Sequence, residues 1–340
     1  MCMRPPEKGS LKTGFKKGDF LFPEWICGWK SWGRVYQSID AFRPIIREIF
    51  RRHSLAYEEP KHLTPGTNAV FRVGKQIVKI YAPAESGLVP TWAEVAGMKL
   101  AEAAGIPTAG IICCGELQDR YTFPYLVMNT VEGMEAGDWR PKATVSEKEA
   151  FALEVRRLLE RFRSCVRNDE EAERAQQAGV PCVFYENAVG NRRWEAFSSS
   201  LRKEVERNAE NALKEKCVFV HGDLTGENVL LLPKREGTTA AGRLFVLDFG
   251  DCQLAPFYYE WPSLVWELFR WDSVMLKSCF KEYSEEEFLT LLTKAVLLHD
   301  FGADMLKDTC RWAGIRPVSI GNAEEVRFLL QRRLRAENDV

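Results

Sequence analysis

The sequence predicts an α+β chain in two lobes: a small, β-rich N-terminal lobe and a larger, mostly helical C-terminal lobe. Three observations carry this. Between Leu63 and Val131, short β-prone apolar runs alternate with turn signals such as Gly74-Lys75 and Asp119-Arg120. From Gly133 onward the apolar spacing turns helical. And 340 residues, 46% of them apolar and 20 of them Phe, suffice for two cores. The expected divisions are 1-37, an extension of unassigned role, 38-132, the N-lobe, and 133-340, the C-lobe.

Taken in order, Trp25, Trp29 and Trp32 come first and are read as packing residues, since buried aromatics mostly serve core energetics. Ser38 to Arg52 predicts a helix with Ile45, Ile46 and Phe50 on one face; Pro44 fits only near its first turn. Leu63 to Val73 and Gln76 to Tyr81 read as loop, strand, tight turn, strand. The loop holds Pro65, Gly66, Thr67 and Asn68, types that let backbone N–H groups approach a phosphate closely. Lys79 stands alone among apolar neighbours on the second strand, where a lysine ordinarily snorkels to solvent. Thr91-Trp-Ala-Glu94 opens an Ala-rich helix that stops near Gly105, and Thr91-x-x-Glu94 is itself a capping box. Ile106 to Cys114 and Tyr121 to Val131 are β-rich.

In the second lobe, Ser146-x-x-Glu149 is read as the cap of a helix carrying Phe151, Val155, Leu158, Leu159, Phe162 and Val166. Asn168 to Gly179 is polar and reads as an exposed connection, and Trp194 to Lys216 as a second helical run. Val229 to Leu232 and Arg243 to Leu247 predict a hairpin joined by residues 233–242. Helices are expected at about Tyr258 to Phe280, Ser284 to Asp300 and Ala323 to Ala336.

The chemistry sits in Val218-Phe-Val-His221-Gly-Asp223-Leu-Thr-Gly-Glu-Asn228 and in Leu244-Phe-Val-Leu-Asp248-Phe-Gly250-Asp251. Asp223, Asn228 and Asp248 each border an apolar run, on loops rooted in short strands. A carboxylate that orients a hydroxyl, with hard oxygen donors for a magnesium ion, is what phosphoryl transfer needs. Asp223 suits the first role; Asn228 and Asp248 suit the second. The order Asp-x4-Asn, then Asp-Phe-Gly, matches the catalytic and metal loops of kinase-like enzymes, against a bland reading of two unrelated turns. His221 is read as a brace for the loop. From Phe249 to Asp300 nine acids oppose four bases, which favours a cationic acceptor. Glu285 to Glu287 belong to a solvated helix start; Asp251, Glu260 and Asp300 are the acceptor candidates.

Composition excludes other classes. A net charge of −1 offers nucleic acid no general attraction. Ten Cys without a Cys-x-x-Cys pair, and only 4 His, argue against a zinc cage and for reduced, mostly buried thiols in a cytoplasmic protein. The start of the chain lacks an apolar signal core, and no run reaches the ~18 apolar residues of a membrane span. A monomer is expected, with no nucleic-acid or membrane partner.

His221-Gly-Asp223-Leu-x-x-x-Asn228 resembles the aminoglycoside phosphotransferase and choline kinase superfamily, where protein kinases have Arg in place of Gly222. Phe42-Arg-Pro44, Pro65-Gly-Thr-Asn68, Ile77-Val-Lys-Ile80, Pro124-Tyr-Leu-Val-Met128, Trp266 to Asp272 and Leu298-His-Asp-Phe301 extend the resemblance, within that superfamily, to the hygromycin-phosphotransferase branch. It covers about residues 40 to 305. The resemblance implies a two-lobed kinase-like fold, magnesium with ATP (or GTP) as donor, and a small-molecule hydroxyl as acceptor. It implies that Lys79 grips the nucleotide, that Glu94 pairs with Lys79, that Gly66, Thr67 and Asn68 cover the phosphates, and that Met128, Asn129 and Val131 form an adenine-binding hinge. Asp248-Phe-Gly-Asp251 departs from many relatives after the Phe but keeps the metal Asp. A metabolite kinase acting on a sugar, choline or an amino-acid alcohol is the alternative, followed by a silent nucleotide binder.

Overall fold

The computed structural model describes residues 20–63, 66–83, 92–232 and 243–336. The expectations placed on residues 1–19, on Pro65, on Thr91 as a cap and on the connection 233–242 lie outside these.

The chain divides into two units. The first runs to Val95 and takes in Ala109–Val131; the second holds Ala96–Thr108 and the chain from Glu132 on. Strands β1 (Lys61–His62), β2 (Ala69–Val73), β3 (Gln76–Ile80), β4 (Ile111–Gln118) and β5 (Thr122–Asn129) form one antiparallel sheet in the order β1-β2-β3-β5-β4. Gly74, at φ +62, makes the tight turn between β2 and β3. Alternation on β2 buries Ala69, Phe71 and Val73 under helix α2 (Ile39–Arg52), whose N-cap is Ser38. Pro44 lies within this helix, deeper than its first turn.

Residues 20–37, set apart as an extension by sequence, are part of this core. Phe22 packs its ring 5.0 Å from both Phe42 and Phe123, and Trp32 of helix α1 (Gly28–Val35) is 1% exposed. Asp119 fastens the segment by accepting the N–H groups of Leu21 and Phe22. Of the three tryptophans only Trp32 is core. Trp29 lies at the surface, and Trp25 stays largely exposed with the Arg120 guanidinium over its ring.

The helix α3 (Ala93–Ala103) spans the division between the units. The second unit is mainly helical: α4 (Ala136–Trp139), α5 (Val145–Ser164), α6 (Asp169–Gln177), α7 (Phe184–Val189) and α8 (Ser199–Ala212) precede the catalytic motif. Its strands are β6 (Met134–Glu135), β7 (Cys217–Val220), β8 (Val229–Leu231), β9 (Leu244–Val246) and β10 (Gln253–Pro256). They form a three-stranded sheet, β6-β8-β9, and a pair, β10-β7. Helices α9 (Ser273–Cys279), α10 (Glu285–Leu298), α11 (Gly302–Ala313) and α12 (Ala323–Ala336) close the chain.

Several expectations need correction. The cap of α5 is Thr144 with Glu147, two residues before the expected Ser146 and Glu149, with Thr144 and Glu147 each accepting the other's backbone N–H; both pairs fit the spacing. The polar stretch after Asn168 is a helix, because Asn168 caps it by accepting the N–H of Glu171. The expected helix from Tyr258 is broken up. It contains a 3-10 turn at Phe257–Glu260, a π-helical turn at Ser263–Leu268, and positive φ at Arg270 and Trp271 before α9 begins. Helix α11 was not expected at all. Among the described residues eight cysteines are free thiols, three of them buried, but Cys27 is disulfide-bonded, which spacing alone does not reveal. Among the described residues no helix is long and apolar enough to cross a membrane.

Candidate active site

The loop expected to be catalytic leaves the buried strand β7 at Val220. His221 is fully buried, its ring 4.7 Å from that of Phe249 and 6.2 Å from that of Phe162. Its Nε2 donates to the Leu247 carbonyl at 3.0 Å, and its Nδ1 accepts the N–H of Asp223 at 3.2 Å. The ring thus ties the catalytic loop to the residue before Asp248, the bracing role expected of it.

Gly222 is required where it stands. Its φ of +81 lies in the left-handed region, and a Cβ there would come 2.4 Å from the carbonyl oxygen of Asp251. Farther along the loop, Gly226 accepts the N–H of Gly137 in α4 at 2.9 Å, and a Cβ on Gly226 would meet the Gly137 backbone at 2.9 Å. Both glycines therefore mark close backbone approaches that hold the loop in place.

Asp223 and Asn228 are joined directly: Nδ2 of Asn228 donates to Oδ2 of Asp223 at 2.8 Å and to its main-chain carbonyl at 2.9 Å. The β8–β9 register brings Asp248 beside them. Val229 pairs with Val246, and Leu247 donates its N–H to the Asn228 carbonyl at 2.8 Å, so Asn228 and Asp248 leave the same end of the hairpin. Asp248 takes a left-handed backbone conformation, φ +55, with its Oδ1 accepting the N–H of Gly250. Burial above all, with the charges of Asp251 and Asp248 beside it, pushes the Asp223 carboxyl up to about 8, against the opposing pull of the Asn228 bond.

The donor set suits magnesium. Among the described residues no cluster of three or more His, Cys, Asp or Glu is arranged for a metal. Magnesium, however, binds through one or two protein oxygens with phosphates and water completing its shell. With the amide nitrogen of Asn228 turned to Asp223, the Asn228 oxygen and the Asp248 carboxylate are the hard donors.

In the first unit, Lys79 of β3 is 4% exposed and its Nζ lies 2.7 Å from Oε2 of Glu94. Glu94 is 1% exposed and also accepts the hydroxyl of Tyr81 at 2.7 Å. The strand lysine is thus held inside, with the helix glutamate as partner. Gly66 and Thr67 are exposed and Asn68 half-buried; the Thr67 carbonyl accepts the indole N–H of Trp32 at 2.8 Å.

A family model described as "Phosphotransferase enzyme family" matches residues 65–288. The chain belongs to this family. Among solved structures it is similar to aminoglycoside 2'-phosphotransferase-IIIa in its GDP complex, with 16% identity and a TM-score of 0.53 over 88% of this chain and 100% of that one. The GDP and kanamycin complex of APH(2'')-IIia is similar at 15% identity and TM-score 0.54, over 87% of this chain and 96% of that one. Choline kinase LicA from Streptococcus pneumoniae is similar at 13% identity and TM-score 0.51, over 88% and 99% of the two chains. No curated protein matches the chain. At these identities the likeness is one of fold: this phosphotransferase has the kinase-like α+β architecture.

Some expected site residues of the phosphotransferase sit elsewhere than sequence suggests. Glu260, expected to face the acceptor, is 2% exposed and turned inward. Its carboxylate accepts the N–H groups of His221 at 2.7 Å and Gly222 at 3.1 Å, and that of Leu224, so it braces the catalytic loop. Burial raises its carboxyl to about 7 despite these bonds. Asp300 is half-buried and engaged, with Asn191 donating to it at 3.2 Å and Arg193 lying 3.6 Å away. Burial raises the Asp300 carboxyl, and the Arg193 charge opposes this. Asp251 is exposed. In the expected hinge, Met128 is a sheet residue paired with Ile77 and Ile111, and Asn129 already gives its N–H to the Gly110 carbonyl at 2.9 Å. Thr130 gives its own to Lys75, which leaves the N–H of Val131 as the one donor of this stretch not spent inside the sheet among the described residues. Tyr81 and His299, both in contact with site residues, were not among the expected site residues; His299 lies in the Leu298-His-Asp-Phe301 stretch of the resemblance, whereas nothing in the sequence sets Tyr81 apart from an ordinary core residue.

Proposed function

We propose that this phosphotransferase moves the γ-phosphoryl group of ATP, or of GTP, to a hydroxyl of a small molecule, and that the acceptor is an aminoglycoside-type antibiotic of the kind handled by the hygromycin branch that its sequence resembles. The observation that carries the phosphoryl-transfer reading is the gathering of Asp223, Asn228 and Asp248 at one end of the β8–β9 hairpin, linked by the Asn228–Asp223 hydrogen bond.

In this reading Asp223 orients the acceptor hydroxyl and takes its proton. A carboxyl raised toward neutrality is a better proton acceptor than an ordinary one. Asp248 and Asn228 hold magnesium, which when bound neutralises the phosphate oxygens. Lys79, held by Glu94, grips the phosphates; Gly66, Thr67 and Asn68 cover them, and the backbone near Val131 meets the base. Catalysis is then mostly positioning and charge neutralisation. Such an enzyme works in the cytoplasm, where its nucleotide is.

A second reading, a kinase for a hydroxylated metabolite such as choline or a sugar, is favoured by the acceptor candidates themselves. Glu260 is committed to the catalytic loop and Asp300 already faces Arg193, so fewer acids remain for a polycation. ADP release from MgATP across aminoglycosides, hygromycin, choline and sugar alcohols, with Asp223→Asn as control, separates the two. Turnover with an aminoglycoside supports the first reading and turnover only with a metabolite supports the second. No turnover with any acceptor, with nucleotide still bound, argues against both.

A further inference from the structure

We propose that His299 is a positioning residue for Asp223, acting through the Gly222–Asp223 peptide plane. The inference rests on the reading of Asp223 as the group that handles the acceptor hydroxyl.

His299 follows the last residue of α10 and is 1% exposed. Its Nδ1 accepts the N–H of Phe301 at 3.0 Å, which fixes the tautomer: the proton is on Nε2. That Nε2–H donates to the carbonyl of Gly222 at 3.0 Å. The ring is packed between Tyr259, with centroids 4.4 Å apart, and Phe301, at 5.1 Å. Burial holds the imidazole well below its usual range, at about 3, so it stays neutral and keeps one donor and one acceptor.

His221 uses its ring in the same way. Its Nδ1 accepts an N–H two residues ahead, that of Asp223, and its Nε2 donates to a carbonyl, that of Leu247. The two rings therefore hold opposite ends of one peptide unit. His299 holds its C=O, on Gly222, and His221 holds its N–H, on Asp223. Glu260 holds the preceding peptide by the Gly222 N–H.

These tethers act where the backbone is softest. Glycine at φ +81 has many alternatives open to it, and a small rotation there swings the Asp223 carboxylate. A carboxylate that must meet one hydroxyl gains most from a fixed peptide plane, because misplacement by about 1 Å can cost up to about 100-fold in rate.

The test uses the full chain and three variants. His299→Phe keeps a ring between Tyr259 and Phe301 but has no donor. His299→Asn keeps a polar group near Phe301 but is too short to reach Gly222. His299→Gln places an amide N–H where Nε2 was. Hydrogen exchange is followed in peptides covering residues 221–228, beside kcat and KM for MgATP. The expected result is faster exchange of this segment in the Phe and Asn variants, and near-native exchange in Gln. Where an acceptor is turned over, kcat should fall about 10-fold or more, with KM for MgATP within about twofold, and Gln should restore most of it. A merely structural role would lower the melting temperature without splitting kcat from KM. If Phe does not fold, Asn carries the comparison. Native exchange at 221–228 in the donor-less variant overturns the proposal. If the native protein releases no ADP with any acceptor, the functional reading falls by itself, and the exchange comparison still decides the clamp.

Discussion

Asn228 turns its amide nitrogen toward Asp223 and bonds both the carboxylate, at 2.8 Å, and the main-chain carbonyl, at 2.9 Å. In the proposed mechanism the bond divides the labour of one side chain: its nitrogen holds Asp223 and its oxygen is left for magnesium. Asn228→Asp would lose the donor and set two carboxylates against each other. We expect turnover to fall about 100-fold or more, with the larger loss at low magnesium. A magnesium titration of ADP release checks this, and an unchanged titration would contradict the shared role.

Asp223→Asn can keep the contact with Asn228 by presenting its amide oxygen, so the loop should retain its shape. On the proposed mechanism it removes the proton acceptor, worth about 100- to 10,000-fold in such reactions. Nucleotide binding, read by calorimetry, should stay near native while kcat collapses. Equal turnover in the variant would remove Asp223 from the mechanism.

The raised carboxyls of Asp223, at about 8, and Glu260, at about 7, make a stability prediction with a definite sign. Both hold a proton more tightly in the folded chain than in the unfolded one. The unfolded state then binds fewer protons, so stability falls as pH rises from the ordinary carboxylate range to about 8, and levels off above. Each such group removes at most about 1.4 kcal/mol per pH unit in its window. Urea unfolding between those limits in magnesium-free buffer should show this slope, and Asp223→Asn should reduce it to the part that Glu260 contributes. A native slope in the variant would mean that Asp223 titrates normally.

Lys79 and Glu94 are both buried, so removing one takes from the other its ion-pair partner at 2.7 Å. Lys79→Met should cost about 3–5 kcal/mol, softened by the Tyr81 hydroxyl that still bonds Glu94, and should raise KM for ATP. Lys79→Met with Glu94→Leu should recover much of the stability and none of the activity. Thermal melts beside ATP titrations separate the two losses. Stability that stays low in the double variant would refute the account by a lost ion pair.

Gly302 begins α11 directly after the turn that carries His299. A Cβ there would lie 1.7 Å from the Val296 carbonyl oxygen, a backbone atom that cannot step aside. Gly302→Ala should therefore destabilise by about 3 kcal/mol or more, where an ordinary exposed helix start would gain from Ala. Denaturant midpoints of the two proteins decide it.

Much of this was legible in the sequence because the signals are local. The β2–Gly74–β3 hairpin, the Ser38 cap and the Ser284–Glu287 capping box are each written within a few residues. So is the catalytic trio, since the spacing from Asp223 to Asn228 fits one short loop. What could not be read depends on distant partners. Glu260 looks like any acid on a polar face until the fold turns it under His221 and Gly222. His299 lies 77 residues from the carbonyl it holds. The segment around Phe22 joins the first core through Asp119, nearly a hundred residues away, and nothing in its own spacing says so. The π-helical stretch at Ser263–Leu268 has helical periodicity, so the break from a continuous helix left no trace in the pattern.

The 2.4 Å between the Asp251 oxygen and any Cβ at position 222 also bears on how this chain can change. Protein kinases carry Arg at the matching place in their loop, and arginines of that kind meet phosphorylated side chains that switch activation segments on. Here Gly222→Arg cannot install such a handle in place, because the Asp251 carbonyl would first have to move together with the segment that bears the second half of the motif.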